Sequence, residues 1–199
     1  GEFHNDKLIQ LAQAQIIKEK TLLTQNEGNI TLHWEFLNYT DQAKIDIEYE
    51  KFLNHQITAE DLVINTAGKN NISYAPLLSE LKDISGNIMG ANLPRAIKQD
   101  VVKYGIGSVD PSYIPSHHYN GGKGYRERFT SAMGGHVPQQ KLEAYFTAQC
   151  LTDSVMADQV SKNMQHRLNF LVAGSFHTDF YDGTVIRLRK LVNRQIKTI

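Results

Sequence analysis

The sequence predicts an α/β fold: a mainly parallel β-sheet flanked by helices, folded as one domain over residues 1–199. Three observations carry that expectation. Short apolar runs alternate along the chain with segments of helical periodicity. The run Leu168-Asn169-Phe170-Leu171-Val172-Ala173 is too continuously apolar for a strand with one wet face, and reads as a buried parallel strand. That run closes in Gly174-Ser175-Phe176-His177, an echo of Gly1-Glu2-Phe3-His4 at the other end of the chain. A glycine lets the chain turn at the strand end. The histidine is then presented at the carboxyl edge of the sheet, where open α/β sheets bind ligands. Two histidines delivered alike from distant segments point to one pocket.

The elements follow in order. From Asp6 to Thr24, Leu8, Leu11, Ala12, Ala14, Gln15 and Leu22 recur at helical spacing, with Asp6 as the cap. Ile30 to Phe36 reads as a strand. Asp41 to Leu53 is helical, with many charges on one side. Thr58-Ala59-Glu60-Asp61 resembles a capping box opening a short helix. Tyr74 to Ile84 is an amphipathic helix, and Asn87 to Ala91 a short strand. Asn92-Leu93-Pro94-Arg95 leads into another helix, with proline near its first position. Tyr104 to Arg126 is a long loop rich in Gly, Pro, Tyr and His. Pro138 to His166 is the longest helix. Leu168 to Ala173 is the last core strand, and Thr184 to Leu188 an edge strand.

Composition narrows the function. Lys+Arg 21 balances Asp+Glu 21, so the formal net charge is +0. That removes the electrostatic footprint of a nucleic-acid binder. Cys150 is the one cysteine, so no internal disulfide forms. No apolar stretch is long enough to span a bilayer as a helix.

Several polar residues fall where polarity is costly. Glu35 ends an apolar strand, where a carboxylate either reaches a pocket or faces solvent at a sheet edge. Asn92 and Arg95 flank a strand-to-helix crossing. They read as turn and surface residues, or as anion-binding groups beside free helix N–H groups. In the long helix, Leu142, Tyr145, Phe146, Gln149, Asp153, Met156, Val160 and Met164 share a face. Gln149 and Asp153 interrupt that stripe one turn apart. They either hydrogen-bond within the core or stand behind His177 and Glu35 as supporting groups.

The segment from Ser108 to Phe129 is too long for a routine connection, and long ordered loops are often functional. It holds Tyr113, His117, His118, Tyr119 and Tyr125, with Lys123, Arg126 and Arg128 close behind. Tyrosine phenolate and histidine nitrogen are both axial ligands to haem iron. Phenolate, a hard anion, suits ferric iron and therefore capture over oxygen carriage. Aromatic rings cover a porphyrin face, and Arg or Lys pairs with propionates. The motif Cys-x-x-Cys-His is absent, so attachment would be non-covalent. The plain alternative is a solvated loop.

Six segments resemble, in order, the ChaN-like family: Gly1-Glu2-Phe3-His4, Trp34-Glu35-Phe36, Ala91-Asn92-Leu93-Pro94-Arg95, Tyr125-Arg126-Glu127-Arg128, Gln149 through Ala157, and Gly174-Ser175-Phe176-His177. The resemblance runs from Gly1 to Arg189. It implies a bacterial haem-binding uptake protein with a ChaN-like/EreA-like fold, within the superfamily of the Tiki, TraB and erythromycin-esterase proteins. It maps the superfamily's pocket onto Glu2, His4, Glu35, Asn92, Arg95 and His177. It also implies an outer-membrane lipoprotein or periplasmic protein working with an outer-membrane receptor, and a first strand, export signal or anchor upstream of Gly1. Ligand chemistry adds Tyr119 as the haem-iron ligand, helped by His117, with His118, Tyr125 and Arg126 around the haem. A flat exposed haem face favours a homodimer. The alternative is a Tiki-like metal-dependent hydrolase or peptidase holding its metal with His4, His177 and Glu35.

Overall fold

The computed structural model describes residues 1–4 and 6–199. Asp6 caps helix α1 (Lys7–Leu23), its carboxylate accepting the N–H groups of Leu8 and Ile9 at 3.0 and 3.3 Å. The face that packs inward carries Gln10, Ala14, Ile17 and Thr21, while Leu8, Leu11 and Leu22 point outward. This corrects the face expected from the leucines. The register of the helix is set by small and β-branched residues that admit close approach to the layer beneath.

Strand β1 (Ile30–Asn38) follows, then α2 (Gln42–Leu53), which buries Ile45, Tyr49 and Phe52 at helical spacing. The capping box forms as expected: the Thr58 hydroxyl accepts the Asp61 N–H, and the Asp61 carboxylate accepts the Thr58 N–H, opening α3 (Ala59–Thr66). Helix α4 (Ala75–Asp83) buries Leu77, Leu78 and Leu81. Strand β2 (Asn87–Asn92) leads through Pro94 into α5 (Arg95–Tyr104).

The expected loop from Tyr104 to Arg126 is more ordered than its composition suggests. It contains two short 3-10 turns, and α6 (Lys123–Met133) begins inside it. The longest helix, α7 (Leu142–Lys162), starts after a 3-10 turn behind Pro138 and ends before His166. From Cys150 to Asp158 every residue of α7 is buried, so the helix is central and not merely amphipathic. Strand β3 (Leu168–Val172) follows.

The expected edge strand at Thr184–Leu188 is instead part of a helix, α8 (Gly183–Leu191). Thr184, Arg187 and Leu188 lie three and four apart and turn one buried face toward α7. The buried guanidinium of Arg187 needs partners on that side, which helical spacing supplies and a period of two does not.

Among the described residues the sheet has three parallel strands in the order β2-β1-β3. Leu32 stands opposite Ile88 and Phe170, and Trp34 opposite Gly90 and Val172. An isolated parallel bridge adds Glu2 beside Gly174. Ile30, Leu32 and Trp34 join α1, α2, α3 and α4 in the largest apolar cluster. The other face of the sheet is covered by α7, and Leu171 packs there against Ala157, Val160 and Leu188. Strand β1 is therefore covered on both faces, and its carboxyl end opens between the helix layers. That is where the site lies.

Gly90 sits opposite the irregularity in β1, where a Cβ would strike the Asn38 carbonyl. Gly90→Ala should cost about 1–3 kcal/mol of stability through backbone overpacking. Urea denaturation compared with wild type measures it, and an unchanged midpoint would refute the close approach.

Candidate functional site

Glu35 shares the face of β1 that carries Thr31 and His33, because strand side chains alternate. His177 lies on a 3-10 turn (Ser175–His177) just after β3 and meets Glu35 there. The Gly174 N–H donates to Glu35 Oε2 at 2.6 Å. His177 Nε2 is 3.2 Å from Glu35 Oε1, and Nδ1 is 2.7 Å from Asp153 Oδ1. Asp153, fully buried on α7, also accepts the Thr184 hydroxyl at 3.0 Å and the Tyr125 hydroxyl at 2.7 Å. The Gln149 amide nitrogen donates to the Tyr125 oxygen at 3.2 Å and lies 3.1 Å from His177 Nδ1.

Burial alone would lower the His177 pKa, but the two carboxylates outweigh it and raise it to about 10. Burial alone would raise that of Glu35. The charge and hydrogen bond of His177, the Gly174 N–H and the more distant His4 hold it at about 2. Both ring nitrogens of His177 thus face carboxylates, which is the environment of an imidazolium.

His4 joins from the other end of the chain. Its Nδ1 is 3.1 Å from Glu2 Oε1, which also accepts the Tyr74 hydroxyl. The hydrogen bond to Glu2 raises the His4 pKa, with Glu35 adding to it against burial and His177. A Cβ on Gly174 would lie 2.8 Å from His4 Cε1, so glycine there is what lets the second motif close on the first. Asn92 donates to the Glu35 main-chain carbonyl at 2.8 Å, and Lys98 donates to Asn92 Oδ1 at 3.2 Å. Arg95 stands on the exposed first turn of α5, and no hydrogen bond or ion pair among the described residues joins it to His177. Glu2, His4, Glu35, Asn92, Gln149, Asp153 and His177 therefore form one polar cluster at the carboxyl end of the sheet. Over it opens a cavity of about 350 Å³ lined by Glu2, His4, Gln149, Gly174, Phe176 and His177. An adjoining cleft of about 380 Å³ is lined by Arg95, Lys98, Tyr145, Gln149, Phe129 and Met133.

The loop residues fall into two groups. His118 Nδ1 is 3.0 Å from the Ser154 hydroxyl, and its Nε2 is 2.9 Å from Asn120. The Tyr119 N–H reaches Ser154 Oγ at 3.4 Å, and its carbonyl accepts the Arg187 guanidinium at 2.6 Å. The Tyr119 ring lies 4.6 Å from Lys190 Nζ and 5.3 Å from the Arg187 guanidinium carbon. Buried His117 Nε2 has no hydrogen-bond partner among the described residues, with Asp158 at 4.0 Å. Tyr125 belongs to the second group: it is buried on α6, its hydroxyl held by Asp153, and burial first, then Asp153, push its pKa far upward. Arg126 pairs with Glu143 and lies over the Phe146 ring at 4.4 Å.

The family model for haem-binding uptake proteins of the ChaN type, in the Tiki superfamily, matches residues 1–188. The chain belongs to that family. A solved structure of ChaN from Campylobacter jejuni, described by its cofacial haem binding, is similar in fold. The TM-score is 0.71 at 20% identity, over 95% of this chain and 74% of that one. No curated protein matches the chain.

Arg187 is the residue that sequence reasoning missed. Only 2% exposed, it donates to Ser154, Gly183 and Tyr119 and lies 3.8 Å from Asp153, so it ties the His177 cluster to the Tyr119 loop. A lone arginine in the apolar run Val185 to Leu188 was the available signal, hidden by the strand reading. Tyr74 and Thr184 were also missed, and nothing in their local sequence marks them. Among the described residues no group of three or more His, Cys, Asp or Glu side chains is arranged to hold a metal ion.

Because the folded His177 pKa is raised, its contribution is full below about pH 6.5 and fades as pH rises through about 10. His177→Gln strips Glu35 of its cationic partner and leaves Asp153 with Arg187 as its remaining cation, and should cost about 3–5 kcal/mol at pH 6. The gap to wild type should narrow by pH 10. Chemical denaturation across that range checks it, and a gap that widens with pH would contradict the assignment.

Proposed function

We propose that this chain binds haem non-covalently for bacterial haem or iron acquisition, with Tyr119 as the axial ligand. The observation that carries the reading is the state of Tyr119. Its main chain is pinned by Ser154 and Arg187, its ring lies beside two cations, and no group among the described residues hydrogen-bonds its hydroxyl. A phenol so held fits a ferric iron, which would accept the phenolate. His117, whose Nε2 has no hydrogen-bond partner among the described residues and lies 4.0 Å from Asp158, stands two residues away as the helper. His118 is engaged on both ring nitrogens, so it supports the loop. Lys190 is the cation best set to meet a propionate. Family membership over residues 1–188 supports the ligand class.

A second copy of the chain would cover the face of haem that one protomer leaves open, giving a two-fold dimer. Residence in the periplasm or as an outer-membrane lipoprotein, with an outer-membrane receptor as haem source, completes the proposal.

Haemin titration tests it. Wild type should develop a saturable Soret band of high-spin, tyrosinate-ligated character. Tyr119→Phe should weaken binding by roughly tenfold or more, since a lost charge-assisted contact is worth about 1.5–3 kcal/mol. An unchanged spectrum in Tyr119→Phe would overturn the ligand choice.

A further inference from the structure

The cleft beside the His177 cluster has a composition that haem ligation by Tyr119 does not use. Its charged lining is Arg95 and Lys98, with no carboxylate, in a chain whose acidic and basic residues balance. Its apolar wall is Phe129, Met133 and Val102. Lys98 is half-buried, and its one hydrogen bond among the described residues goes to Asn92. Burial pulls its pKa down, opposed by Glu35 behind it. Arg95 makes no ion pair or hydrogen bond among the described residues. Two cations, one partly stripped of water, converge on a concave surface whose lining holds no carboxylate, and neither makes an ion pair among the described residues.

The cleft and the haem loop also sit on different sides of α7. Tyr145, Ala148, Gln149 and Thr152 recur three and four apart and line the cleft. Ser154, which holds His118 and Tyr119, points away on the far side of the helix. At about 380 Å³ the cleft suits a small organic molecule. Phe129, Met133 and Gln149 also line the His4 cavity, so the two spaces adjoin.

We propose that this cleft is a second ligand site, separate from Tyr119, for a small amphipathic carboxylate. Its carboxylate pairs with Arg95 and Lys98, and its apolar body lies along Phe129 and Met133 toward His4. The planar guanidinium grips a carboxylate through two parallel hydrogen bonds, and the first turn of α5 adds its positive end. The apolar wall selects an organic anion over an inorganic one.

Isothermal titration with 2-naphthoate tests this on the intact chain, with 2-naphthalenemethanol as the uncharged counterpart. The acid should bind at one site. The alcohol should bind at least about tenfold weaker, as should the acid to Arg95→Ala/Lys98→Met. Inorganic phosphate should not compete. The double variant should keep its haemin Soret band. If the alcohol binds as well as the acid, if the double variant keeps full affinity, or if phosphate displaces naphthoate, the proposal fails. If the double variant loses haem as well while folded by circular dichroism, the cleft is haem's own seat and no second site. Arg95→Ala alone, at an exposed position, gives the same affinity readout should the double variant unfold.

Discussion

A charged imidazole held between two carboxylates, one fully buried and one nearly so, organises this structure. Glu35 reaches His177 from β1, Asp153 from the central helix, and His177 itself arrives on the turn after β3. Removing any one member leaves charge stranded in a low-dielectric interior, so the three elements are locked in mutual register. Such a triad need not add net stability over an apolar core. What it imposes is a single relative placement of sheet and helix.

From that anchor the network spreads in two directions. Toward the amino terminus, the Gly174 N–H fixes Glu35 while the missing side chain at Gly174 admits the His4 ring, which Glu2 and Tyr74 orient in turn. Toward the loop, Asp153 shares its charge with Arg187, whose remaining donors hold the Tyr119 carbonyl and Ser154. A loop of polar and small residues would otherwise be mobile. Here Tyr119 hangs by its main-chain carbonyl from a buried guanidinium that answers to the same carboxylate as His177. The Gly-x-x-His pocket thus supports the geometry of a loop that lies across the central helix from it.

The repeated Gly-x-x-His pattern, the apolar run of β3 and the polar interruptions at Gln149 and Asp153 made most of the His177 cluster legible in the sequence. These are local signals: a turn residue at a strand end, and a carboxylate on an otherwise buried face. The parallel sheet was legible for the same reason. Helix α8 was not, because Thr184 to Leu188 is short and β-branched at its start, and only the tertiary need to satisfy Arg187 decides its period. The inward face of α1 was hidden by its leucines, since close packing there favours Ala14 and Thr21 over larger side chains. Arg187 stayed invisible with α8. Tyr125 falls with the loop in sequence, yet α6 carries its hydroxyl to Asp153. No local pattern separates a tyrosine that stays in the loop, as Tyr119 does, from one that completes a core network.

The protonation of one side chain decides whether this arrangement holds. Nitrogen-15 NMR of imidazole-labelled protein reads it directly, with His177→Gln identifying the resonance. Both His177 nitrogens should carry protons, with imidazolium shifts, from pH 6 to pH 9, well past the ordinary histidine pKa of about 6.5. A neutral tautomer at pH 7 would contradict the account, because Glu35 and Asp153 would then face each other across an uncharged ring.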